Sequence, residues 1–205
     1  MLSVARPSRH RSAARCGVPA LAVAALAAAA AGTLAAGPEA AAAASPRPCP
    51  AATAQPGTVP APALGRATIC LVNRIRTARG MPALRPNRQL DAFASSYARR
   101  MVRGGFFAHD VPRGPTFRQR VAASAYARAA RRMSMGENLA WAAGGLASPA
   151  QIVTSWMRSP GHRANILRRD FRDIGVGVAP AAPERGWEGF GPATYVHAFG
   201  VRTAR

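Results

Sequence analysis

Histidines and acids are scarce in this chain, and three of them sit in short motifs whose side chains suit chemistry. His109 follows Phe106-Phe107-Ala108. Glu137 lies in Gly136-Glu137-Asn138-Leu139. His162 lies in Ser159-Pro160-Gly161-His162-Arg163-Ala164-Asn165-Ile166-Leu167. Two imidazoles and a carboxylate are the donor types that hold Zn²⁺ or another divalent cation, with water in an open position. The same three groups can also form a hydrogen-bonded polar cluster without metal. None of their spacings is a local metal signature of the H-E-x-x-H kind, so spacing alone does not bring them together. Hydrolysis would need a nucleophile or activated water, a base and an oxyanion site. His162 or Glu137 suits the base. Ser159, near His162, is a candidate nucleophile, but a serine before a proline reads first as a helix N-cap. Ser148 and Ser155 rank no higher. His197, in an alternating stretch with Tyr195 and Phe199, reads as structural or surface.

These residues need elements to carry them. Residues 68–79 are predicted as a first helix, capped by Thr68 and ended by Gly80, with Pro82 beyond. Residues 87–103 are predicted as a second helix, because Leu90, Phe93, Ala94, Tyr97 and Met101 recur at helical spacing and Gly104-Gly105 follows. A third helix is expected over 116–126, with Phe117 and Val121 inward. Ser148-Pro149 starts a fourth, whose buried face is Ile152, Val153, Trp156 and Met157. Ser159-Pro160 starts another short one, ending near Leu167. Residues 173–179 and 194–201 alternate and read as strands. The Pro- and Gly-rich stretch 180–192 reads as the connection of a long hairpin. Helices followed by strands indicate an α+β fold with helices on a small antiparallel sheet.

Composition bounds the rest. The 28 basic residues are all arginine, against 8 acids, for a formal charge of +20. Residues 1–15 carry four arginines and no acid, and 18–36 are almost purely Ala, Leu and Val. Small residues suited to cleavage follow over 36–45. This is the pattern of an export signal; left uncleaved, it would serve as an anchor. Residues 38–65 are rich in Pro and Ala and read as an extended linker. Removing the signal takes Cys16 away and leaves Cys49 and Cys70, an even pair that is expected to form a disulfide outside the cell. Without the signal arginines and Glu39, 24 basic and 7 acidic residues remain, about +17. Such a surface suits anionic envelope polymers or lipid headgroups. No nucleic-acid motif appears, so nucleic acid is not an expected partner, and a monomer is expected. Arginine in place of lysine also fits a GC-rich coding composition, which leaves the shortage of acids unexplained.

The motifs around His109, Glu137 and His162, with Ile174-Gly175-Val176-Gly177, resemble the bacterial branch of the CAP superfamily. This is the cysteine-rich secretory, antigen-five and pathogenesis-related group, also called SCP-like extracellular domains. Leu71-Val72-Asn73 with Arg76 and the closing Tyr195-Val196-His197-Ala198-Phe199-Gly200 fit as well. The resemblance covers about residues 68–202. It implies an α-β-α sandwich with a small antiparallel sheet between helices. The expected organisation is a signal peptide over 1–44, a linker over 45–65 and the CAP domain over 66–205. The resemblance also implies a cleft with two His and two Glu. His109 and His162 match the histidines, and Glu137 matches the acid of the Gly-Glu-Asn motif. The second acid of the family usually lies three residues after the tryptophan of the fourth-helix motif, where this chain has Ser159. The function expected from all this is a secreted module that binds at the bacterial cell envelope, with a cleft able to hold a divalent metal. The alternatives are a metal-assisted hydrolase using His109, Glu137 and His162, and a lipid or sterol carrier that contacts its ligand through Trp187 and Phe190.

Overall fold

A computed structural model describes residues 48–204. The predicted signal segment lies outside the described residues, as does the start of the predicted linker. The first helix, α1 (Ala61–Thr77), starts seven residues earlier than its sequence suggests. Pro62 stands in its first turn, where a missing N–H costs nothing, so a proline-rich stretch becomes a helix start rather than linker. Thr68, read as the cap, is internal and fully buried, and its hydroxyl donates to the Leu64 carbonyl. Cys70 of α1 is disulfide-bonded to Cys49, which fastens the segment ahead of the helix.

The second helix, α2 (Arg88–Gly104), follows its sequence closely. The Asn87 side chain caps it by accepting from the N–H groups of Gln89 and Leu90, and Gly105 ends it in the left-handed conformation. The predicted third helix is broken in two. Ser124 caps a new turn, so α3 (Phe117–Ala122) is followed by α4 (Ala125–Arg128). The fourth and fifth, α5 (Pro149–Arg158) and α6 (Pro160–Ile166), begin at the two Ser-Pro pairs. Ser148 and Ser159 occupy the N-cap positions, but neither hydroxyl makes a capping hydrogen bond.

The sheet has four strands in the order β1-β3-β4-β2. Here β1 is Arg85–Pro86, β2 is Ala130–Ala142, β3 is Asp173–Ala179 and β4 is Ala193–Ala204. The predicted hairpin is present: β3 and β4 pair antiparallel across the 180–192 connection. Two strands had no sequence signal. The short β1 pairs with β3 in parallel, and β2 pairs antiparallel with β4 along nearly its whole length. Alternation is absent from β2 because it lies at the sheet edge, where Arg131, Arg132 and Met133 face solvent, and because its centre carries polar site residues.

Helices cover both faces. On one, α1 and α5 pack on Ile174, Val176, Val178, Tyr195 and Phe199. On the other, Leu90, Ala94, Tyr97 and Met101 of α2 meet Leu139, Val196 and Ala198. The sequence Gly175-Val176-Gly177-Val178 explains how β3 serves both layers. Its valines fill one core, while its glycines let α2 lie directly on the strand. A Cβ at Gly175 would come within 2.3 Å of the Leu90–Asp91 backbone, and one at Gly177 within 2.2 Å of Ser95. The result is the α-β-α sandwich with a small, mainly antiparallel sheet.

Candidate functional site

The cleft begins with β2. Residues 135, 137 and 139 point to the α2 side, so Glu137 enters the interface between the sheet and α2–α3, where its side chain is 1% exposed. Burying a lone carboxylate is costly, and a charged partner offsets that cost. Arg120 of α3 is that partner. Its Nη2 donates to Glu137 Oε1 at 2.9 Å and Oε2 at 3.0 Å, and to the His109 carbonyl at 2.8 Å. The guanidinium itself is held by aromatic rings. Its Cζ lies 3.3 Å from the centroid of Tyr97, with Phe93 and Phe117 at 5.2 and 5.3 Å. A cation on an aromatic face is favourable, and more so when desolvated.

His109 lies on the loop after α2. The Tyr97 hydroxyl anchors this loop by hydrogen-bonding to the carbonyls of Ala108 and His109, at 2.7 and 2.8 Å. Burial outweighs the Arg120 charge at this phenol and pushes its pKa up to about 12, so it stays a donor. The His109 ring meets Glu137 directly, with Nδ1 2.9 Å from Oε1. An ionised carboxylate only accepts, so Nδ1 carries the proton, and in the neutral ring Nε2 is left with a lone pair. The His109 side chain is half exposed, at 52%.

His162 approaches from the first turn of α6. Three polar contacts couple that helix to β2. Asn138 Nδ2 donates to the His162 carbonyl at 3.0 Å, and Asn165 Nδ2 donates to Asn138 Oδ1 at 2.9 Å and to the Glu137 carbonyl at 3.3 Å. Gly136 permits this approach, since a Cβ there would meet the Phe171 ring at 2.9 Å and Asn165 Oδ1 at 3.1 Å. Trp156 Nε1 on α5 ties the same strand down through the Leu139 carbonyl. His162 Nδ1 is buried without a hydrogen-bond partner among the described residues. Desolvation lowers the His162 pKa, and a proton on His109 would lower it further.

Of the three residues singled out from sequence, His109 and Glu137 are therefore in contact, and His162 is joined to them through the backbone and side chains of β2. Among the described residues, no group of three His, Cys, Asp or Glu side chains is placed to hold a metal ion. Ser159 sits at the start of α6. His197 is a core residue. It is fully buried on the opposite face of the sheet, between Trp156 and Phe199, with ring centroids 5.1 and 4.0 Å away. Sequence reading gave no role to Arg120, Tyr97, Asn138 or Asn165. The two asparagines stand inside the motifs already noted, and that was their available signal. Arg120 is one arginine among 28 and carried none.

At the far end of the sheet, Trp187 meets Trp141 and Phe190, at 5.2 and 5.9 Å between centroids. Phe190 is 62% exposed, and nearby Leu146 is 50% exposed.

Comparison with known proteins agrees with this fold. The sequence model of the cysteine-rich secretory protein family, CAP, matches residues 70–196, more than half of the chain. The uncharacterized protein YkwD of Bacillus subtilis is 32% identical over 109 residues, which cover 52% of this chain and 39% of YkwD. This chain thus spans well under half of that relative. Two solved structures share the fold, each with a TM-score of 0.53. One is an outer surface protein of Borrelia burgdorferi, 20% identical, covering 66% of this chain and 90% of that one. The other is an extracellular SCP-domain protein of Bacillus anthracis, 23% identical, covering 72% of this chain and 45% of that one.

Proposed function

Because this chain belongs to the bacterial cysteine-rich secretory protein (CAP) family, we propose that it is a secreted module that binds a phosphate-rich anionic polymer of the cell envelope. The observation that carries the reading is a groove of about 510 Å³ between α2 and α3. Arg100, Arg103 and Arg120 line it with Gln89 and Gln119, and no carboxylate is among its lining residues. Four of the seven described acids are engaged elsewhere. Glu137 is bound by Arg120, Asp173 by Tyr126 and Arg85, Asp91 by the Val176 N–H, and Asp110 by the Phe117 N–H. Within the groove no carboxylate competes for the guanidinium groups, which match phosphate oxygens bidentately; Glu184 and Glu188 lie beyond it, in the adjoining cavity that Arg103 also lines. The extracellular and outer-surface relatives support the location.

Binding of soluble poly(glycerol phosphate) to the purified protein tests the proposal. Affinity should fall steeply as salt rises, since exposed charges are screened. It should drop at least tenfold in an Arg100→Ala/Arg103→Ala variant. Salt-independent binding, or equal binding by the variant, would overturn the reading.

The exposed Phe190 and Leu146 beside Trp187 favour a second reading, contact with lipid. Vesicles of neutral phosphatidylcholine separate the two. Binding to them that disappears in Phe190→Ser would support the lipid reading, because no phosphate polymer is present.

A further inference from the structure

Two imidazoles and a carboxylate invite a divalent cation, but the donor set in this cleft is already occupied. Both oxygens of Glu137 accept from Arg120 Nη2, and Oε1 also accepts from His109 Nδ1. A metal could take Glu137 only by displacing that guanidinium. It is 8% exposed, stacked on Tyr97, flanked by Phe93 and Phe117, and bonded to the His109 carbonyl as well. A divalent ion beside it would face a fixed positive charge. The serine at position 159 offers no second carboxylate.

We infer that Arg120 is the resident cation of this cleft and excludes Zn²⁺ from it. The guanidinium neutralises Glu137, and Glu137 in turn orients the His109 ring. The cleft then presents His109 Nε2 as a hydrogen-bond acceptor on its open side, which suits a ligand carrying hydroxyl groups rather than a metal-bound one. Arg120 acts through Glu137 and is a positioning residue. The inference goes beyond the polymer reading and stands or falls separately from it, because its test contains no polymer.

Purified protein dialysed against excess Zn²⁺ and then analysed for bound metal gives the test. Wild type should retain no more Zn²⁺ than His109→Ala. Arg120→Met, which keeps an apolar side chain against Tyr97 but frees the carboxylate, should take up Zn²⁺ that wild type refuses, and adding Glu137→Gln should abolish the gain. One equivalent of Zn²⁺ on wild type, lost in both His109→Ala and Glu137→Gln, would overturn the inference. So would a folded Arg120→Met that gains none. If Arg120→Met does not fold, the wild-type measurement decides.

Discussion

His197 lies flat against Trp156, with ring centroids 5.1 Å apart and planes inclined by 30°. Neither of its nitrogens has a hydrogen-bond partner among the described residues. Desolvation lowers its pKa from 6.5 to about 3, so the ring is neutral in the folded protein at any ordinary pH. In the unfolded chain the same ring takes a proton near 6.5. The folded state therefore binds fewer protons below that value, and stability must fall as pH drops from about 6.5 toward 3. The contribution is roughly 1 kcal/mol per pH unit. Denaturant unfolding of wild type and His197→Phe across that range should show the difference. The variant should lose part of the acid slope and be at least as stable at neutral pH, because it buries no unpaired nitrogen.

Glu137 and Arg120 are buried together, so removing either strands the other. Glu137→Gln and Arg120→Met should each cost about 3–5 kcal/mol of unfolding free energy. The double substitution should cost clearly less than the sum, because the second change removes a group already left unpaired. Urea titrations of the three variants check this. Additive losses would mean that the two side chains are not coupled.

Gly177→Ala places a methyl group within 2.2 Å of the Ser95 backbone. The helix or the strand must move, and a loss of at least about 2 kcal/mol is expected from overpacking. Since α2 carries Tyr97, which anchors the His109 loop, the imidazole resonance of His109 should shift in the same variant although residue 177 does not touch it. A stable variant with an unchanged spectrum would contradict this packing.

The Cys49–Cys70 bridge closes a loop of 21 residues. Replacing both cysteines with serine should lower stability by about 3 kcal/mol in the chain-entropy account. The cleft should keep its geometry, because none of its side chains lies in the closed loop. Thermal unfolding with and without reductant measures the effect.

The sequence made some of these elements plain and concealed others, for reasons visible in particular residues. Helix α2 was legible because its apolar residues recur at helical spacing between an asparagine cap and a glycine stop. The β3–β4 hairpin was legible because both strands alternate. The start of α1 was hidden because prolines signal extended chain unless they fall in a first turn, as Pro62 does. Strand β2 was hidden because Arg-Arg-Met-Ser-Met-Gly-Glu-Asn follows solvent exposure and cleft chemistry instead of a two-residue period. Within the cleft, residue types pointed to His109 and Glu137. Nothing local distinguishes the arginine that joins them, since its meaning arises only when α3 folds over α2 and brings Phe93, Tyr97 and Phe117 around it.

The strand that bears Glu137 forms the outer rim of the sheet. A rim strand offers unpaired backbone groups onto which a second copy could zip, although here the Glu137 and Leu139 carbonyls are already taken by Asn165 and Trp156. The exposed guanidinium groups of Arg131 and Arg132 lie along that margin, and two copies approaching edge to edge would bring like charges together. The same residues that erase the strand's signature from the sequence thereby set like charges against pairing at the end of the rim away from Asn165 and Trp156.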